Sequence, residues 1–201
     1  MTRYADGHKE RTRRAIVDVA TSALRTDGIE GARVADVMRD AGLTHGGFYT
    51  HFASKDDLVA EACAAGVVAA RESVVGVASR TTPEARVRAV LDAYLTGARR
   101  DAAGCTLATL GGEIARQPRK VRARFTRELA NSLEAIAPLM DGMDDERRVD
   151  QVLAMVASMV GAMMLARAVS DRAMSDRILD VGRRAIVGAV AQAGRVTTTR
   201  G

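Results

Sequence analysis

The residues whose types and spacing suggest chemistry crowd into one stretch, Arg33 to Lys55, which reads RVADVMRDAGLTHGGFYTHFASK. From Thr44 onward it holds His45, Gly46, Gly47, Tyr49, Thr50, His51 and Lys55 without a single carboxylate. Histidines with no acidic or nucleophilic partner nearby do not assemble a catalytic triad. Side chains with hydrogen-bonding tips, beside glycines that let a backbone come close, suit recognition of a groove edge or a phosphate instead.

Two short helices are needed to position these groups. Val34, Val37, Met38 and Ala41 recur at helical spacing, with Asp36, Arg39 and Asp40 on the opposite side. Gly42 then stands where a helix ends in a left-handed residue, and Leu43 follows as an apolar plug under the turn. Thr44 is placed to cap the next helix through its hydroxyl. That helix, His45 to His51, turns Phe48 and Phe52 inward and leaves His45, Gly46, Tyr49 and Thr50 outward. Two consecutive glycines inside a helix cost about 1 kcal/mol each relative to alanine, so their use must lie in access. Lys55 opens the following helix, where the macrodipole disfavours a cation; a nearby phosphate accounts for it, and so does a solvated lysine offset by Asp56 and Asp57.

The run Gly42-Leu43-Thr44, then Gly47-Phe48-Tyr49-Thr50-His51-Phe52, then Ser54-Lys55-Asp56-Asp57-Leu58 resembles the DNA-binding domain of the TetR family of bacterial ligand-responsive transcriptional repressors. The resemblance covers the first third of the chain. It implies an all-α fold, an N-terminal three-helix helix-turn-helix bundle followed by a C-terminal helical domain for ligand binding and dimerisation. It also implies that Tyr49 and Lys55 hold phosphates, with Thr44 contributing from the helix start and Gly47 and His51 completing the face. Base choice then falls to His45, Gly46 and Thr50 in a major groove. Where the family usually has Thr or Ser ahead of the first motif helix, this chain has Ala32 and Arg33, so a phosphate contact there would be Arg33's.

Length and composition set the outer bounds. The 201 residues, 47% of them hydrophobic, suffice for one sizeable domain or two modest ones. No apolar run of spanning length and no signal segment is evident, so a cytoplasmic location is expected. Cys63 and Cys105 are too few for a disulfide framework, and neither a metal pattern nor a cofactor motif is present. The net charge is +5, yet residues 1 to 60 balance nine Lys/Arg against nine Asp/Glu. Charge is therefore informative only in clusters. Arg3, Lys9, Arg11, Arg13 and Arg14 against Asp6 and Glu10 give +3 in an N-terminal arm that could track a phosphate backbone or enter a minor groove, the alternative being a solvated, frayed terminus.

Taken in order, residues 1 to 8 read as a mobile arm, and a helix from Lys9 to Thr26 stops at Asp27-Gly28. Ser54 with Asp57 resembles a capping box for a long helix reaching about Val77. Thr82-Pro83 opens a second domain. Helices follow around Val87 to Leu95, from Cys105 to Ile114, from Arg119 to Leu139, from Asp144 to Arg172 and from Ser175 to Ala193, leaving a loose tail. The expected domains are 9 to 69 for DNA binding and 82 to 193 for effector binding and dimerisation. The last two helices carry more apolar surface than one subunit uses, which predicts a twofold homodimer. Met155, Met159 and Met163 read first as core filling.

An effector site would be lined by apolar residues with polar groups such as Tyr94, Glu113 or Glu128. Arg116, Arg119, Lys120, Arg122, Arg124 and Arg127 form a basic run, most simply a solvated face, though it could lie against the DNA-binding domain or the DNA. Gly104-Cys105 resembles a helix start found in one branch of the TetR family, some of whose members sense electrophiles there. A thiol in a helix's first turn feels the positive end of the dipole, which favours the reactive thiolate, although a lone cysteine usually just packs. The readings that compete are an enzyme, which the isolated histidines disfavour, and a helical adaptor that binds other proteins. Of six Phe and Tyr in the chain, Phe48, Tyr49 and Phe52 sit in the motif, a concentration an adaptor does not require.

Overall fold

The computed structural model describes residues 2–102, 104–139 and 145–198, with side chains over 7–82, 85–102, 104–139 and 148–192. Among them the chain is helical and has no strand: α1 (Thr2–Gly31), α2 (Val34–Asp40), α3 (Phe48–His51), α4 (Lys55–Ala78), α5 (Pro83–Tyr94), α6 (Gly97–Asp101), α7 (Thr106–Ile114), α8 (Arg119–Ile136), α9 (Asp145–Ala168) and α10 (Arg172–Thr198). Single 3-10 turns occupy His45–Gly47 and Ala137–Leu139. They gather into two compact units, one of Met1–Val68 with Cys105–Leu129, the other of Ala69–Gly104 with Ala130–Gly201.

In the first unit α1 begins at Thr2, so the expected mobile arm is already helical. Gly7 does not break it, since one glycine costs only about 1 kcal/mol in a helix interior. The expected stop is a kink: Gly28 takes φ 77°, and one more turn runs to Gly31 beyond it. The core joins Ile16, Ala20 and Leu24 of α1, Val37 and Met38 of α2, Phe48 and Phe52, and Leu58, Val59 and Ala62 of α4. Leu110 and Ile114 of α7 and Val121 of α8 belong to the same cluster. Ser54 Oγ accepts the Asp57 N–H at 3.2 Å, the first half of a capping box, while Asp57 Oδ2 accepts the Ser54 hydroxyl at 3.0 Å and not its backbone N–H.

In the second unit α9 and α10 pack along each other. The stretch Arg148–Ala168 is long and apolar enough, by length and composition alone, to cross a membrane, contrary to the sequence expectation. It nonetheless buries Val152, Met155, Met159, Met163 and Ala166 within its own unit, as the core-filling reading of the methionines requires. The expected single helix from Asp144 to Arg172 ends at Ala168, and α10 starts early because the Asp171 carboxylate accepts the Met174 N–H at 2.6 Å and caps it. Asp144 itself lies outside the described residues. The tail expected to be loose is helical as far as Thr198. The short α6, which no sequence periodicity announces, is capped by Thr96, whose hydroxyl accepts the Arg99 N–H. It carries the buried Arg100, which donates to Asp101, Ser175 and Asp176.

Candidate nucleic-acid interface

The turn between α2 and α3 is built as the residue types dictate. Gly42 has φ 72°, the Leu43 N–H reaches the Met38 carbonyl at 2.8 Å and the Gly42 N–H the Arg39 carbonyl at 2.9 Å. That pair of bonds is a Schellman closure, with Leu43 packed against the core beneath it. The following segment differs from the single helix expected from His45 to His51. His45–Gly47 is a 3-10 turn, and only Phe48–His51 is α-helical. Paired glycines favour the tighter, shorter turn because they gain little from continuing an α-helix. The Thr44 hydroxyl makes no capping bond, contrary to expectation; its carbonyl accepts the Gly47 N–H at 3.0 Å.

Phe48 and Phe52 are buried and stack with centroids 5.6 Å apart, anchoring the segment from below. Thr44, His45, Gly46, Tyr49 and Thr50 are exposed above them. Tyr49 is 69% exposed, held edge-on to Phe48 at 5.2 Å. A Cβ on Gly46 would meet nothing within 4 Å, so this glycine is not required by packing. Arg33 is exposed at the N-cap of α2 and makes no capping bond. Lys55 is half-buried, and its Nζ donates to the Glu30 carbonyl at 3.4 Å.

His51 is the member of the set that faces partly inward. Burial holds its imidazole below the ordinary value, with Lys9, Arg13 and His8 adding in the same direction. Its backbone carbonyl accepts from Arg13 Nη1. Arg13 also pairs with Glu61 and lies over the Phe52 ring at 4.2 Å, so it braces α3 against α1 and α4. The basic N-terminal cluster predicts a phosphate-tracking role for Arg13; in the folded chain its side chain is committed elsewhere.

Glu113 departs from expectation in the same way. Its carboxylate is committed to the backbone: Oε2 accepts the Ile29 N–H at 2.7 Å, the donor left open where Gly28 breaks α1. Glu128 pairs with Arg124 on its own helix at 3.6 Å. Tyr94 is buried in the second unit with Arg99 over its ring at 5.4 Å. Cys105 is the buried N-cap residue of α7, its carbonyl accepting from Ala108 and Thr109, and its side chain makes no capping bond. Cys63 is fully buried on α4, and burial with the nearby Glu113 charge pushes its thiol up to about 12. No group of three metal-ligating side chains occurs among the described residues.

Residues 16–62 match the family model for bacterial regulatory proteins of the tetR family. No curated protein matches the sequence. Among solved structures, 65 chains are similar to this one. Escherichia coli NemR in its reduced form is 15% identical, with a TM-score of 0.73 over 88% of this chain and 95% of its own. A TetR-family transcriptional regulator from Agrobacterium tumefaciens is 20% identical, with a TM-score of 0.69 over 90% and 98%. A TetR transcriptional regulator from Chloroflexus aurantiacus is 25% identical, with a TM-score of 0.68 over 92% and 96%.

Proposed function

We propose that this chain, which belongs to the tetR family of DNA-binding transcriptional regulators, works in the cytoplasm as a homodimeric repressor. It binds a palindromic operator and is released by a small-molecule effector. The observation that carries the reading is the exposed polar face Thr44, His45, Gly46, Tyr49 and Thr50, fixed from below by two buried phenylalanines. A face this polar and this open, with no carboxylate, fits a major groove: Thr44, Tyr49, Lys55 and Arg33 position the backbone, while His45, Gly46 and Thr50 meet base edges. Gly47 and His51 shape the turn that presents them.

The second unit supports twofold pairing. Leu153, Met164, Leu165, Met174 and Val181 lie exposed on α9 and α10, and a soluble protein covers such a patch, most often with its own copy. Leu165→Arg therefore leaves the fold intact and shifts the protein from dimer to monomer in sedimentation at micromolar concentration. The effector domain of the expectation, residues 82 to 193, contains the buried Tyr94, and Cys105 is its candidate covalent sensor. The test is a gel shift with genomic fragments: retention of a few fragments carrying inverted repeats supports the reading. Uniform weak retention of all fragments, or none, contradicts it.

A further inference from the structure

We propose that the arginine-rich corner between the end of α7 and the first turns of α8 is a second phosphate-binding surface, gripping double-stranded DNA beside the half-site read by the His45–His51 segment. The inference rests on the reading of the chain as an operator-binding regulator and extends its footprint to residues outside the helix-turn-helix.

Between Glu113 and Glu128 the chain has six basic residues, Arg116, Arg119, Lys120, Arg122, Arg124 and Arg127, and no acidic one. Three of them fall in the first turn of α8, which has no acidic residue there. The macrodipole disfavours cations at that end, so helix stability does not explain the choice. Val121 is fully buried in the same core cluster as Phe48 and Phe52, and Phe125 packs against it, so the corner is a fixed part of the DNA-binding unit.

The corner is also joined to the segments beside the expected phosphate contacts. Lys120 pairs with Asp57, two residues from Lys55, and Glu113 holds the Ile29 N–H next to the Glu30 carbonyl that accepts from Lys55. Glu30, Asp56 and Asp57 are the acids at this edge, and Lys120 offsets the last. Arg116, Arg119, Arg122 and Arg127 are exposed and make no ion pair among the described residues. From Arg119 to Arg127 α8 rises about 12 Å, along which duplex DNA presents a charge about every 1.7 Å. The exposed face, Arg119, Arg122, Ala123, Thr126 and Arg127, offers no aromatic or large aliphatic side chain to set beside its arginines, as the centre of a protein interface or an inserted amphipathic helix would, which favours a partner recognised by charge alone. A phosphate backbone needs only the charge.

The test uses the full-length chain and two duplexes, one ending at the limits of the selected palindrome and one longer by a helical turn on each side. The comparison variant is Arg116→Gln/Arg119→Gln/Arg122→Gln, checked for parental helicity and urea midpoint. The parent binds the long duplex more tightly than the short one, and the variant loses that gain. On the long duplex its log–log salt slope falls by about 1 for each phosphate no longer neutralised. On the short duplex the two proteins match. Equal affinity and slope for parent and variant on the long duplex would overturn the proposal and make the corner a solvated face. Equal losses on both duplexes would overturn its placement outside the half-site. The Tyr49→Ala variant separates the two readings: loss of binding by Tyr49→Ala, with the arginine variant unaffected, removes the corner and leaves the operator-binding function standing.

Discussion

Gly28→Ala should be among the most damaging single-methyl additions in the DNA-binding unit, although Gly28 belongs to the α1 kink and not to the recognition face. The residue has φ 77° and ψ 174°, a combination essentially confined to glycine, which costs an L-amino acid about 1–3 kcal/mol. Its new Cβ would lie 2.9 Å from Glu113 Oε1 and 3.1 Å from Oε2, so the carboxylate has to retreat. Retreat weakens the 2.7 Å bond to the Ile29 N–H, an interaction of a charged acceptor worth about 1.5–3 kcal/mol, nearer the lower value at this part-buried site. The sum is about 2.5–4.5 kcal/mol. With a urea slope of about 2 kcal/mol/M for a chain of this kind, the midpoint falls by about 1–2 M. Because the strain and the lost bond share one partner, Gly28→Ala and Glu113→Ala are sub-additive in a double-mutant cycle. A Gly28→Ala protein with a parental urea midpoint, or full additivity with Glu113→Ala, would refute the reasoning.

Three further outcomes follow. Gly66→Ala would drive a methyl into Thr106 Oγ1 and to 2.8 Å from its Cβ, costing about 1–3 kcal/mol by overpacking, whereas Gly46→Ala meets open space and changes the urea midpoint little while weakening operator binding. The folded-state pKa of His51 is depressed, so the unfolded chain binds the extra proton: stability is fully present above the ordinary histidine value, falls as pH drops through it toward the folded pKa, and this slope disappears in His51→Gln, as urea midpoints between pH 5 and 8 would show. Near neutral pH, Cys105 at the α7 N-cap alkylates faster than Cys63, whose thiol is held up to about 12; equal rates, by mass spectrometry of the native protein, would make Cys105 structural.

What the sequence discloses is what depends on near neighbours. Gly42, Leu43 and the Phe48/Phe52 pair are readable because a helix stop and a helical face are set within a few residues, and Ser54 with Asp57 for the same reason. Long-range commitments are not readable. Arg13 sits in a basic cluster indistinguishable from a solvated arm, and only the folded chain brings His51, Glu61 and Phe52 to it. Glu113 looks like a lone polar group on an apolar helix, since nothing local announces that its partner is an N–H 84 residues away. The substitution of a 3-10 turn for part of the recognition helix lies beyond what periodicity can reveal, because three residues define no period. The signal that could have found it was the glycine pair itself.

The central claim, that the exposed face of the His45–His51 segment binds operator DNA, is tested most directly by selecting duplexes from a random library with the purified protein. The selected duplex is then titrated with salt against the parent, Tyr49→Ala, Lys55→Ala and Thr50→Ala. An inverted repeat should be enriched. Tyr49→Ala and Lys55→Ala should each bind every sequence more weakly, Lys55→Ala with a salt slope lower by about 1 and Tyr49→Ala with the parental slope because a phenol neutralises no phosphate, while Thr50→Ala relaxes preference at one position of each half-site. All three variants should keep the parental urea midpoint, since Tyr49 and Thr50 are exposed and Lys55 contributes a single long bond to Glu30. Parental affinity, slope and preference in all three variants, or the absence of any enriched sequence, would contradict the account.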